Sequence, residues 1–258
     1  MSYFAVRNGA FARKDKKILH NINIELHEGE VLSILGCNGA GKTTLMKCMM
    51  GLLQWSSGES LLVGKNLKSC KNIWESISYV AQSRGVVFDI KVVDMVMLGC
   101  NPFVKLRPKD EHLKLVYEAL CNLGLEHLAQ RKIASLSGGE LQMVVFARAL
   151  VKKPKILFLD EVESHLDFAN QKIILECVKG LSQGGCVIVF NTHFPAHALY
   201  LSHKALLLNK LEHMSMRTSN AIYGDCEKVL TAENLSKLYK VDLEIQSKAR
   251  EREYVLRI

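Results

Sequence analysis

Gly36-Cys37-Asn38-Gly39-Ala40-Gly41-Lys42-Thr43 decides how the rest of this chain is read. The stretch fills G-x-x-x-x-G-K-[ST] at every fixed position, a pattern whose glycines let backbone N–H groups turn inward around a β-phosphate. Gly36, Asn38, Gly39, Ala40, Gly41 and Thr44 form the walls of such a cradle. Lys42 reaches the β- and γ-phosphates as a point charge, and the Thr43 hydroxyl is placed to ligate Mg²⁺. The flanks agree: Val31–Leu35 reads as a strand entering the loop. Leu45, Met49, Leu52 and Leu53 share one face of a helix leaving it, and a helix start attracts anions.

Two further runs match Val31–Leu35 in character, Ile156–Leu159 and Cys186–Phe190. Continuous rather than alternating apolarity marks strands buried on both faces, as in a parallel sheet covered by helices. Each run ends in polar residues, and open parallel sheets bind ligands beyond the carboxyl ends of their strands. After the second run, Asp160 is positioned to hold Mg²⁺ through water and Glu161 to polarise an attacking water. After the third stand Thr192 and His193. Between the first two runs, residues 84–150 carry helical spacing. Leu113, Val116, Tyr117, Leu120 and Leu123 line one face, and Gly124 is placed to end that helix. Ser137-Gly138-Gly139-Glu140 opens another helix, either as a plain capping box or as bare N–H groups offered to a phosphate; spacing leaves both open. A last helix is expected at Ala232–Tyr239.

Composition narrows the class. A chain of 258 residues, 48% hydrophobic with four prolines, has room for one large α/β domain or two small ones and excludes disorder. A membrane span is not expected, because the richest apolar stretch, Val86–Leu98, is cut by Asp89, Lys91 and Asp94. Met1–Ala12 has no apolar run of the secretory kind. Eight cysteines without a C-x-x-C pair read as reduced cytosolic thiols, most of them core residues. The net charge of +8 is spread along the chain without interleaved aromatics, so no nucleic-acid partner is expected. Cys37, inside the loop beside Lys42 and N–H donors, has surroundings that favour a thiolate open to maleimide and shielded by nucleotide.

Taken in order, these residues resemble the ATP-binding-cassette family. The phosphate loop Gly36–Thr43 is followed by Gln82 in Val80-Ala81-Gln82 and by the signature Leu136–Glu140. The Walker B strand Ile156–Glu161, the loop Ser164-His165-Leu166-Asp167 and His193 complete the series. Within the family, Val93–Gly99 with Pro102-Phe103, Ser164–Phe168 and Val229–Tyr239 are similar to the ATPases of importers for iron–siderophore, heme or cobalamin chelates. The resemblance implies a P-loop NTPase (RecA-like) α/β core with a parallel sheet, an N-terminal antiparallel β subdomain and an inserted helical subdomain. It implies one ATPase domain over 1–258: core 1–83 and 151–205, helical signature subdomain 84–150, and C-terminal extension 206–258.

It also implies that two copies sandwich two ATPs with Mg²⁺ in a nucleotide-dependent homodimer. Ser137, Gly138, Gly139 and Glu140 of one copy then face the γ-phosphate held by the other. Glu161 acts as general base, His193 as γ-phosphate sensor, Gln82 as a Mg²⁺ and water contact beside Thr43 and Asp160, and Asp167 links the two sites. The partners implied are a multi-span permease, docked on the segment Gln82–Phe103 that includes Phe88, and indirectly a substrate-binding protein. The location implied is the cytoplasmic side of the cell membrane, peripheral. A soluble assembly or scaffold factor, as in iron–sulfur biogenesis, is the alternative. Three departures stand out. Val162-Glu163 replace the family's Pro-Thr and add a carboxylate near the site. Arg13 stands where an aromatic usually stacks on adenine, although a guanidinium also stacks on a base. Asn209-Lys210 replace a turn glycine.

Overall fold

The computed structural model describes residues 2–81, 89–104, 107–164, 166–211, 219–248 and 251–256. In chain order its first elements are β1 (Phe4–Arg13), β2 (Lys16–Leu26), β3 (Val31–Leu35), α1 (Lys42–Met49), β4 (Ser57–Leu62) and β5 (Lys65–Asn66). Then come α2 (Ile73–Ser76), β6 (Ile77–Val80), α3 (Val92–Met97), α4 (Asp110–Cys121), α5 (Gly138–Leu150), β7 (Ile156–Asp160) and α6 (Phe168–Gln183). The last are β8 (Val187–Asn191), α7 (Pro195–Leu201), β9 (Lys204–Leu208), β10 (Ala221–Asp225), α8 (Cys226–Val229), α9 (Ala232–Tyr239), β11 (Leu243–Lys248) and β12 (Glu251–Leu256). They fall into two compact units, Met1–Lys71 with Leu181–Ile258, and Asn72–Gly180.

In the first unit β3 lies between β8 and β9 and is parallel to both, while β10 adds antiparallel to β9. Every residue of β3 and β8 is buried, which is why these runs carry no polar alternation. Leu35 and Leu207 on the sheet pack with Leu230, Leu235 and Leu238 from the end of α8 and from α9. Burying each such side chain contributes about 1.5–3 kcal/mol, so the C-terminal helices belong to the core beneath β3. A separate antiparallel sheet has the order β2-β1-β4-β5. Helix α1 is shorter than its apolar pattern suggests. It stops at Met49 because Gly51 takes a left-handed φ of 77°, and Leu52, expected on the inner face, is 47% exposed.

In the second unit β6 and β7 pair in parallel, and α5 packs with α3 and α4. Met143, Val144, Phe146 and Ala147 of α5 are buried. On α4 the inner face is narrower than the five-residue stripe expected: Val116 and Leu120 are buried with Leu123 beyond it, whereas Leu113 and Tyr117 face solvent. The Ser78 hydroxyl of β6 donates to the Ala149 carbonyl of α5 at 2.6 Å, joining strand to helix. Among the described residues no helix is long and apolar enough to cross a membrane. All eight cysteines are free, and Cys48, Cys100, Cys186 and Cys226 are buried.

Candidate functional site

In the first unit the loop after β3 is shaped by what presses on it. A Cβ on Gly36 would lie 2.5 Å from the Leu208 carbonyl oxygen, so only glycine lets the end of β9 come this close. Ala40 N–H donates to the Cys37 carbonyl at 3.1 Å and closes the turn. Gly41, at φ 106°, sits at the start of α1, and no side chain caps that helix. Its positive end therefore faces the loop. Lys42 is only 6% exposed, and its Nζ donates to the Gly36 carbonyl at 2.8 Å and the Cys37 carbonyl at 3.5 Å. A nearly buried ammonium held against loop carbonyls at an uncapped helix start fits a polyphosphate. Thr43 is exposed beside it.

Other expected residues of this unit take different places. Arg13 ends β1 opposite Lys16, exposed next to Lys14 in the hairpin turn. His193 follows the fully buried Asn191 and Thr192, and the Thr192 hydroxyl accepts from Phe194 N–H at 3.0 Å, which sets the turn that presents His193. Cys37 is half-buried, and its thiol donates to the Leu238 carbonyl at 3.0 Å.

Asn220 was not singled out from the sequence, since one asparagine in a polar stretch carries no signal. It is fully buried; its Nδ2 donates to the Ile18 and Asn209 carbonyls at 3.0 and 2.9 Å, and its Oδ1 accepts from His20 N–H at 2.9 Å. Ile18, thereby fixed, is the residue a Cβ on Gly41 would strike, at 2.7 Å from its Cγ2.

In the second unit β7 is buried along all five residues and delivers Asp160 at its carboxyl end, 3% exposed. The Tyr79 hydroxyl donates to Asp160 Oδ2 at 3.2 Å, and burial together with the Asp160 charge pushes the phenol pKa upward. Among the described residues no three ligating side chains cluster. The Asp160 carboxylate is the kind of oxygen ligand that Mg²⁺ takes together with waters and substrate phosphates. Glu161 comes next in a left-handed conformation, φ 54°, a backbone strain of about 1–3 kcal/mol of the kind that collects at reacting groups. Val162 and Glu163 are both fully buried, so the additional carboxylate points into the protein.

Ser137 and Glu140 form the capping box: Glu140 N–H donates to Ser137 Oγ at 3.2 Å and Ser137 N–H to Glu140 Oε2 at 2.7 Å. The Ser137 N–H on the carboxylate, then the Ser137 hydroxyl, and then Arg131 at 3.7 Å hold the Glu140 carboxyl below its ordinary value. Gly138 is exposed and Gly139 half-exposed, the latter beside Leu166. Asp167 caps α6, its Oδ1 accepting from Asn170 N–H at 2.8 Å. Gln82, Phe88 and His165 lie outside the described residues.

A family model described as ABC transporter matches residues 19–164. An ABC transporter ATP-binding protein of uncharacterised role from Haemophilus influenzae is 36% identical over 243 residues, covering 93% of this chain and 90% of that one. The molybdate import ATP-binding protein MolC of the same organism is 33% identical over 240 residues, covering 91% and 87%. Among solved structures, an inward-facing ABC transporter assigned to the metal-chelate type superposes with a TM-score of 0.86 at 30% identity, covering 100% of this chain and 98% of that one. The superposition gives this chain the P-loop α/β fold with an antiparallel N-terminal sheet. Since the family model spans the stretch from β2 to the residues after Glu161, and relatives align over nine-tenths of the length, the chain belongs to the ABC transporter family as one of its ATP-binding, ATP-hydrolysing members.

Proposed function

We propose that this protein hydrolyses MgATP on the cytoplasmic side of the membrane to drive import through a separate multi-span permease. In this reading the phosphates lie along Gly36–Thr44 with Lys42 on the β- and γ-oxygens, and Arg13 stacks on the base. Thr43, Asp160 and Gln82 hold Mg²⁺, which when bound neutralises charge on the β- and γ-oxygens. Glu161 takes the proton of the attacking water, and His193 senses the γ-phosphate. A second copy supplies Ser137, Gly138, Gly139 and Glu140 across a nucleotide-closed homodimer, and Asp167 connects the sites. The cargo class is a metal chelate of the siderophore, heme or cobalamin kind, delivered by a substrate-binding protein. The relationship to a metal-chelate type transporter supports that class. The groove of about 340 Å³ lined by Trp74, Leu98, Asn101, Pro102 and Arg148 receives a cytoplasmic helix of the permease.

The placement of Lys42 carries the reading: a nearly buried ammonium within the loop stands beside a helix start that no side chain caps, and together they attract a polyphosphate. The test pairs two variants in the purified protein. Lys42→Ala is expected to abolish ATP binding. Glu161→Gln is expected to keep ATP bound, hold two copies together, and lower turnover by roughly 10²-fold or more. Parent-rate hydrolysis by Glu161→Gln would remove the general-base assignment. Full ferric-chelate uptake by cells lacking this chain, but retaining its permease, would remove the transport role.

A further inference from the structure

Asn209-Lys210 stand just beyond β9, where the resembled family turns on a glycine. Asn209 is held at both ends of its peptide unit: its N–H donates to the Asn220 carbonyl at 2.9 Å, and its carbonyl accepts from Asn220 Nδ2 at 2.9 Å. Asn220 itself is fully buried and also tied to Ile18 and His20, so the chain leaves for residue 210 from a fixed point in the wall of the phosphate loop. The Lys210 side chain then reaches back over that loop. Its Cε and Nζ lie 3.8 and 4.0 Å from the position a Cβ on Gly39 would occupy. Gly39 has a left-handed φ of 77° and no side chain to hold the ammonium off the backbone. Lys210 is exposed, and no carboxylate among the described residues pairs with it.

We propose that Lys210 is a second phosphate-binding lysine, whose ammonium binds the polyphosphate of the nucleotide from the Gly39 side while Lys42 binds it from within. The proposal rests on the loop being the ATP site. Its chemistry differs from that of Lys42. Lys42 is nearly buried and already holds loop carbonyls, so it belongs to the architecture of the cradle. Lys210 stands in solvent, so its attraction for phosphate is modest, lengthens the lifetime of bound ATP and ADP, and is screened by salt. A nucleotide without β- and γ-phosphates gains little from it.

Calorimetric titration of the full-length protein with ATP, ADP and AMP tests this, using the parent, Lys210→Gln and Lys210→Arg. At about 0.05 M salt, Lys210→Gln is expected to weaken ATP and ADP about five- to tenfold and leave AMP within about twofold, and Lys210→Arg to restore parent affinity. At about 0.5 M salt the difference should shrink to about twofold or less. In steady state, KM for ATP rises with the same factor while kcat stays within about twofold. Parent-like ATP affinity in Lys210→Gln, an equal loss for AMP, or a gap indifferent to salt would overturn the role of Lys210. Failure of the parent itself to bind ATP would instead overturn the site.

Discussion

Two glycine pairs lead into helices in different units, Gly36 with Gly41 in the loop before α1 and Gly138 with Gly139 at the start of α5, and they are glycine for different reasons. At the phosphate loop the chain itself forbids a side chain: a Cβ would meet the Leu208 carbonyl at 2.5 Å or Ile18 at 2.7 Å, and Gly41 adds a φ of 106°. At α5 nothing among the described residues objects. A Cβ on Gly138 meets no atom within 4 Å, and one on Gly139 finds only Leu166 at an ordinary 3.5 Å. Glycine at the start of a helix lowers its stability relative to alanine, so an unneeded pair there is a cost without an internal return. In the proposed function the requirement at α5 comes from a second copy offering nucleotide phosphates. The comparison teaches how to separate glycines kept by the fold from glycines kept by a ligand.

Substitution sharpens the contrast. Gly41→Ala should have the largest effect on stability, about 2–5 kcal/mol from overlap with Ile18 and the left-handed backbone, read as a lowered denaturant midpoint. ATP binding should be lost with it. Asn220→Ala should follow, at about 1–3 kcal/mol, because it removes a fully buried side chain and strands half-buried backbone groups of Ile18, His20 and Asn209. Gly138→Ala should break the pattern. Its stability should equal the parent's or rise by up to about 1 kcal/mol, read as an equal or higher midpoint, ATP should still bind, and hydrolysis should fall by about tenfold or more. If Gly138→Ala unfolds the protein or leaves hydrolysis untouched, the idea of an external requirement is gone.

The smallest effect concerns pH. Glu140 has a folded pKa below its ordinary 4.5, through hydrogen bonds from Ser137 and then the charge of Arg131. A depressed carboxylate contributes stability that is fully present above about pH 4.5 and is lost as pH falls below it. Unfolding midpoints between about pH 6 and pH 3.5 should therefore decline slightly more for the parent than for Glu140→Gln. Parallel curves would mean the capping box gives no pH-linked stability.

Much of this could be read before any coordinates because it is local. Three strands announced themselves by apolar runs without alternation, since strands buried on both faces leave no room for it, and Val31–Leu35, with Ser33 as its one polar residue, has the observed bounds. Ala232–Tyr239 is likewise the helix expected. Errors arose where tertiary contacts overrule a stripe: Leu113 and Tyr117 carry helical spacing yet face solvent, and Leu52 lies beyond a helix that Gly51 has already ended. The wall of the phosphate loop was not legible at all. Asn220, Ile18, Lys210 and the Leu238 carbonyl on Cys37 meet across about two hundred positions of chain, and no local pattern encodes such a meeting.

That span has a consequence for how the protein is made. The hydrogen bond from Asn220 to Ile18 crosses 202 positions, and the one from Cys37 to Leu238 crosses 201. On a ribosome adding about 5–20 residues per second, this region is synthesised roughly 10–40 s before the segments that brace it. During that interval the nascent chain carries the complete motif but not its buttress. A polypeptide released before residue 238 keeps the recognisable glycines while lacking the contacts from Asn220 or Leu238 that brace the loop in the finished chain.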